Sequence, residues 1–192
     1  MKVNLVDVRM GFPAIWHPQA FMDGEPKYGA RFIIPPGSKA AKDLDAAVTK
    51  VAQEKWKDKA AGILKSIKND AQKMCWLKEE YTNSSGEVYD GFEGMYHLNA
   101  KSDARPLVLD RDKSPLTEQD GRPYSGCYVV GVVEIWAQDN KWGKGIRCQL
   151  KGVQFYRDGD AFSGGTPASA DDFEDLSEGI DADGEDEENP FG

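Results

Sequence analysis

Two neighbouring segments in the second half of the chain constrain the fold most strongly. Residues 127–136, CYVVGVVEIW, are almost entirely apolar, whereas residues 145–157, GIRCQLKGVQFYR, alternate apolar and polar side chains. An apolar run of this length indicates a strand in the middle of a sheet, and alternation is typical of a strand with one face on the core. The turn-like sequence DNKWGK at 139–144 joins them. We therefore predict a β-hairpin whose first strand lies at the centre of a sheet.

Gly152 interrupts the alternation in the second of these strands. Ile146 and Leu150 share one phase, and Val153 and Phe155 stay on the same side only if the phase shifts at Gly152. A shift of this kind predicts a β-bulge or the bend of a barrel strand.

Other parts of the chain are also strand-like, and two segments look like long loops. Residues 11–26 contain prolines and an Asp-Gly step, and residues 110–126 have no apolar period, so both are predicted to be loops. The remaining predicted strands are residues 2–9, whose phase change indicates a bulge, and residues 27–34, 73–77, 94–101 and 105–109.

A helical period begins after the second predicted strand. Ser38 is a suitable N-cap, and we expect a helix from there to about residue 57. A second helical segment follows, interrupted by Gly62. The first helix would turn four apolar residues to one face, namely Leu44, Val48, Val51 and Trp56.

Short strands, a bulge, a helix and long loops together predict a mainly β domain with inserted helices. We expect a Greek-key barrel of the OB-fold type, with a β-sandwich as the alternative. In the usual OB order the helix follows the third strand, whereas here it follows the second. This nucleic-acid-binding domain would span residues 1–162, and residues 163–192 would form a disordered linker and tail.

The charge of the protein is concentrated at its C-terminal end. Residues 171–192 hold eleven carboxylates and no Lys or Arg, in a chain whose formal charge is −9. The preceding 170 residues have 24 Lys and Arg against 22 Asp and Glu, or +2. A long run of like charges with few apolar residues is typical of a disordered interaction tail, although a purely solubilising tail has the same composition.

The tip of this tail distinguishes it from a solubilising segment. Pro190 and Phe191 follow the acidic block Glu185, Asp186, Glu187 and Glu188, and Gly192 comes after them. The tail resembles the C-termini of single-stranded-DNA-binding proteins of bacteria and tailed phages. The resemblance implies that the acidic block, Pro190 and Phe191 bind replication or recombination proteins and that single-stranded DNA is the ligand of the body. Because residues 1–2 are not followed by an apolar signal region and no apolar run reaches the length of a membrane span, we expect the protein in the cytoplasm, of the host cell if it is a phage protein.

The body places cations beside aromatic rings in several segments, a pattern that suits single strands, because cations contact phosphates and exposed rings stack on bases. Core packing is the alternative for most of these rings. Trp142, between two lysines in a turn, is as consistent with base stacking as with packing over the hairpin. The predicted DNA contacts are Tyr28, Arg31, Lys101, Arg105, Arg111, Arg122, Tyr124, Lys141, Trp142, Lys144, Arg147 and Lys151.

Sequence motifs give little support to catalysis. His17 and His97 have no metal-ligand spacing around them, and neither a nucleophile elbow nor a P-loop occurs. We expect no catalytic residue, metal or cofactor. Cys75, Cys127 and Cys148 form no CxxC pair and are expected to be reduced and buried, and no apolar run is long enough to cross a membrane.

We therefore predict a non-enzymatic protein that binds single-stranded DNA without sequence preference during phage replication or recombination. Its tail would compete with DNA and recruit partner proteins. One rival is a metal-dependent nuclease using Asp110 with Asp112, or Asp158 with Asp160. The other is an acidic adaptor or DNA mimic that does not bind DNA. The sequence leaves open whether the protein forms a homodimer.

Overall fold

The computed structural model describes residues 1–20 and 23–162. The predicted linker and acidic tail lie outside the described residues, so the division of the chain at residue 163 stays a prediction. The same holds for the six tail residues expected to bind partners.

Five strands close into a barrel. In the ring, β4, β2, β1, β6 and β7 are neighbours in that order, and a parallel contact between Lys101 of β4 and Gln149 of β7 closes it. This is the predicted OB-type Greek-key barrel, with two short strands, β3 and β5, added outside the ring. The strands are β1 Lys2–Gln19, β2 Lys27–Ile34, β3 Trp76–Leu77, β4 Tyr96–Ser102, β5 Leu107–Leu109, β6 Tyr128–Asn140 and β7 Gly143–Arg157.

The hairpin that dominated the sequence is confirmed, and it is longer than predicted. β6 lies between β1 and β7, and the connection between β6 and β7 contains only Lys141 and Trp142. The expected bulge is present as well: Val132 pairs with Gly152 while Val133 pairs with Leu150, which leaves Lys151 as the extra residue.

The predicted loop at residues 11–26 is wrong over its first half, because β1 continues to Gln19. Ala14 pairs with Gly29 of β2, and the register shifts on both sides of that pair. Prolines are tolerated in strands at such irregularities, where the ladder does not need their missing N–H. Ala14 is buried, so this extension contributes to the core.

Two helices follow β2 in the chain and precede β3. The first, α1 (Lys39–Trp56), begins as predicted at Ser38, whose Oγ accepts a hydrogen bond of 3.2 Å from the Ala41 amide. After a 3₁₀ turn, α2 (Ala60–Ile67) runs through Gly62 without the predicted interruption. Packing against α1, with Ala60 and Ile67 buried, outweighs the low helix propensity of one glycine. The predicted apolar face of α1 is buried.

The three cysteines are free and buried, as predicted. Burial raises the pKa of the Cys127 thiol to about 11, so it remains protonated and unreactive at neutral pH. Within the described residues, no helix is both long enough and apolar enough to span a membrane.

Candidate nucleic-acid interface

A cationic surface lies on the outside of β2, β4 and β7. Arg31 on β2 pairs with Asn99 on β4, and Lys101 on β4 pairs with Gln149 on β7. Successive side chains on a strand point to opposite faces. Arg31, Lys101 and Arg147 therefore project outward, whereas their strand neighbours fill the core. We call Arg31, Lys101 and Arg147 the cationic face.

The residues of the cationic face repel one another. The pKa of Lys101 is lowered first by partial burial and then by the neighbouring charges of Arg31, Lys27 and Arg147. Lys27 is neutralised by Asp103, 2.9 Å away. Within the described part of the chain, neither Arg31, Lys101 nor Arg147 forms an ion pair with a carboxylate. An anion such as a phosphate would relieve this repulsion.

An aromatic cluster adjoins the cationic face. The Arg31 guanidinium lies 3.7 Å from the centroid of the Tyr81 ring. Phe12, which is 49% exposed, makes edge contacts with Tyr81 and Tyr89 at centroid distances of 5.6 and 4.9 Å. We call this group the aromatic cluster, and its members are Phe12, Tyr81, Tyr89, Phe92 and His97.

His97 forms a hydrogen bond with Arg31. Its Nδ1 lies 2.9 Å from an Arg31 terminal nitrogen, and burial, followed by the nearby Arg31 charge, lowers the pKa of His97 to about 4. The imidazole is therefore neutral at pH 7, and its Nδ1 accepts a hydrogen bond from Arg31 without adding positive charge. This contact holds the guanidinium in place beside the Tyr81 ring.

Sequence reasoning missed the aromatic cluster. Tyr81, Tyr89 and Phe92 belong to an irregular segment between β3 and β4, and Phe12 belongs to the predicted loop that proved to be a strand. The available signal was three aromatic rings in a short segment rich in Asn, Ser, Gly and Asp. Such a segment has no apolar period, so the sequence does not show that Phe92 is buried while Tyr81 and Tyr89 are half-buried.

The hairpin tip carries the most exposed of the large apolar side chains described. Trp142 is 78% exposed, and the Lys141 ammonium lies 5.0 Å from the centroid of its ring. Lys144 pairs with Asp139 at 3.2 Å. The Trp142 ring thus has little packing of its own, and it stands at the end of the strand that carries Arg147.

The other predicted contacts have partners of their own or lie away from the cationic face. Arg122 pairs with Asp110 at 2.5 Å in a cleft of roughly 400 Å³ that Arg111 also lines, and the Tyr124 hydroxyl donates to Asp158 at 2.8 Å. Lys151 pairs with Glu134 at 3.2 Å. Arg105 lies 5.4 Å from the Trp16 ring, and Tyr28 is half-buried on the opposite face of β2 from Arg31. DNA contact by these residues stays a prediction.

The aspartates considered for a nuclease have structural partners. Asp110 is bound to Arg122, and Asp112 accepts hydrogen bonds from the amide and hydroxyl of Ser114 at 2.9 and 2.5 Å. These contacts hold the pKa of both carboxyls below the usual range. Across residues 1–20 and 23–162, no group of three or more His, Cys, Asp or Glu side chains is arranged to hold a metal ion.

Comparison with known proteins gives a family match over nearly the whole chain. Residues 1–187 match the model of the family described as "Enterobacter phage Enc34, ssDNA-binding protein". A curated relative, "Putative protein p50" of Acyrthosiphon pisum secondary endosymbiont phage 1, is 44% identical over 180 residues, which cover 92% of this chain and 95% of the relative.

Solved structures agree with the family match. The single-stranded DNA-binding protein from bacteriophage Enc34, solved in complex with ssDNA, is 26% identical with a TM-score of 0.59, over 84% of this chain and 89% of that chain. Gp2.5, a single-stranded DNA-binding protein encoded by bacteriophage T7, is 13% identical with a TM-score of 0.54, over 96% and 97% of the two chains. At that identity the likeness to gp2.5 shows a shared fold alone.

Proposed function

Because this chain belongs to the family of the single-stranded-DNA-binding protein of phage Enc34, we propose that it binds single-stranded DNA across the cationic face and the aromatic cluster. The family match confirms the family of phage single-stranded-DNA-binding proteins that the tail indicated. The observation that carries the proposal is a group of three cations that have no carboxylate partner among the described residues and that adjoin the aromatic cluster. Arg31 and Lys101 lie on β2 and β4, which are the second and third barrel strands in chain order, and Arg147 lies on β7, the fifth. In OB-folds this face and the loop between ring strands four and five bind oligonucleotides. Here that loop is the Trp142 turn.

Binding on this surface would not depend on base sequence. Cations recognise the phosphate backbone, and every base offers a flat face on which an aromatic ring can stack. The interface is built from strands and irregular segments rather than from a helix that could enter the major groove of a duplex.

The proposal is tested by fluorescence anisotropy with labelled oligo-dT and with a duplex of the same length, each with and without Mg²⁺. We expect tighter binding to the single strand, an affinity that falls as salt rises because counterions are released, and intact DNA after incubation with Mg²⁺. Loss of DNA only with Mg²⁺ would favour a nuclease. A failure to bind either DNA would favour the adaptor or DNA mimic.

The wider role is also part of the proposal. We infer that the protein coats exposed strands during phage replication or recombination in the host cytoplasm, acting by binding rather than by catalysis. The acidic block and Phe191 would recruit partner proteins, with the ring as an apolar anchor and the carboxylates steering the encounter.

Trp142 offers a separate test of base stacking. Trp142→Ala should weaken oligo-dT binding about five- to tenfold. This is the lower part of the range of affinity losses for a ring that stacks on a base, because the hairpin tip that carries Trp142 is exposed. The substitution should also remove most of the fluorescence quenching that oligo-dT causes in the wild type. Leu107→Ala removes an exposed apolar side chain from β5 and serves as the control. If the quenching persists in Trp142→Ala, the ring has no role in stacking.

A further inference from the structure

A second arginine–ring pair borders the aromatic cluster, and its ring comes from the segment that follows the last strand of the barrel. The Arg9 guanidinium on β1 lies 4.2 Å from the centroid of the Phe162 ring. Phe162 is half-buried, unlike the core rings. The pair repeats the arrangement of Arg31 over Tyr81, although Phe162 comes from the end of the described chain rather than from the barrel.

Strand register places this pair on the same surface as the cationic face. Gly11 of β1 pairs with Arg31 of β2, and Arg9 pairs with Ile33. Arg9 therefore lies on the strand next to Arg31 and two residues further along it, and neighbouring strands are about 5 Å apart. A Cβ added at Gly11 would lie 3.3 Å from Phe92 and 3.8 Å from Phe162, so the Phe162 ring borders the aromatic cluster.

The groove that holds Phe162 is built without side chains on one wall. Gly91 has a φ of +85°, and a Cβ there would lie 2.4 Å from the Phe162 Cζ. Only a glycine permits this approach. The groove therefore accepts a flat ring between the Gly91 backbone and the Arg9 guanidinium.

The segment that brings Phe162 into the groove is held by polar contacts at its surface. Arg9 donates to the Asp160 carbonyl at 2.7 Å, and the Phe162 amide donates to the Ser125 carbonyl at 3.1 Å. Asp160 and Ala161 are exposed. Releasing these residues would expose little apolar surface, in contrast to the removal of a core side chain.

We infer that the groove between Arg9 and Gly91 is a nucleobase site at one end of the DNA path, and that Phe162 fills it until a single strand binds. The inference rests on the proposed function. A base is flat like the Phe162 ring, stacks on a guanidinium in the same way, and offers carbonyl groups or an adjacent phosphate to replace the Asp160 carbonyl. DNA entering from the cationic face would displace the ring and the residues that carry it.

The inference predicts that removing the competing ring strengthens binding. In the full-length protein, Phe162→Ala should bind oligo-dT about two- to fivefold more tightly, the range for an exposed arginine–ring contact. Phe162→Leu, which keeps an apolar side chain without a flat ring, should change affinity in the same direction by less. Arg9→Lys keeps the charge but loses the guanidinium plane, so adding it to Phe162→Ala should abolish the gain.

Displacement of the ring can be observed directly by ¹⁹F NMR on full-length protein labelled with 4-fluorophenylalanine, with Phe162→Ala used to assign the resonance. We expect oligo-dT to move the Phe162 resonance towards that of a solvent-exposed ring, while the signal of the core residue Phe32 stays in place. The inference is overturned if anisotropy shows binding while the Phe162 resonance does not move and Phe162→Ala binds no better than wild type. If the wild type binds no oligo-dT, the proposed function fails and the inference fails with it.

Discussion

Replacing Arg31, Lys101 and Arg147 together by glutamine should weaken oligo-dT binding about a hundredfold at low salt, at roughly 1 kcal/mol for each exposed cation–phosphate contact. These three cations repel one another in the free protein and are not neutralised by carboxylates of the described residues. Phosphates would therefore meet these charges without displacing a described carboxylate, although Arg147 also donates hydrogen bonds to the Gln72 carbonyl at 2.6 Å and to the Gln138 side chain at 3.0 Å. The affinity is measured by anisotropy over a range of salt concentrations.

The salt dependence separates local contacts from the overall charge. If the three residues each contact a phosphate, the slope of log affinity against log salt should decrease by about 2, because each single-strand phosphate contributes roughly 0.7. The matched control is Lys42→Gln with Lys50→Gln and Lys68→Gln, which removes the same charge from exposed positions on and just after the helices. Equal losses in the two triple variants would show that only net charge matters, and the cationic face would lose its assigned role.

The barrel was predictable because the apolar and polar pattern of its central hairpin can be recognised in short segments of the sequence. The apolar run of β6 indicates its central position, and the alternation of β7 indicates which of its side chains are buried. The phase shift at Gly152 marks the bulge, and Ser38 marks the start of α1. The second half of β1 was not predictable in the same way. Its prolines carry a local loop signal, and only the irregular pairing with β2 reconciles them with a strand.

The candidate interface was only partly predictable, because it depends on register between distant strands. Arg31, Lys101 and Arg147 were each singled out from their neighbours in sequence, but their convergence follows from pairing across β2, β4 and β7. Lys151 faces outward as expected, yet Glu134 on β6 lies opposite and neutralises it. Arg122 is similarly engaged by Asp110. The sequence does not distinguish a cation without a partner from one whose carboxylate partner lies on another strand or loop.

Deleting residues 171–192 should strengthen oligo-dT binding roughly ten- to hundredfold at low salt, since a tethered anion competes with DNA at high effective concentration. The segment carries eleven carboxylates, and the Gly-, Ser- and Pro-containing sequence before it is typical of a linker. The repulsion within the cationic face gives the carboxylates a target on the body. The gain should shrink as salt rises, because screening shortens the reach of the charges.

Two further variants separate the charge of the tail from its tip. Replacing the eleven carboxylates by their amides keeps the length and should reproduce the gain in DNA affinity. Phe191→Ala keeps the charge, so DNA affinity should stay near that of the wild type while capture of replication or recombination partners falls. Unchanged DNA affinity at low salt after truncation would show that the tail does not compete with DNA. Its carboxylates would then act only in partner binding or solubility, and the cationic face would be open to DNA at all times.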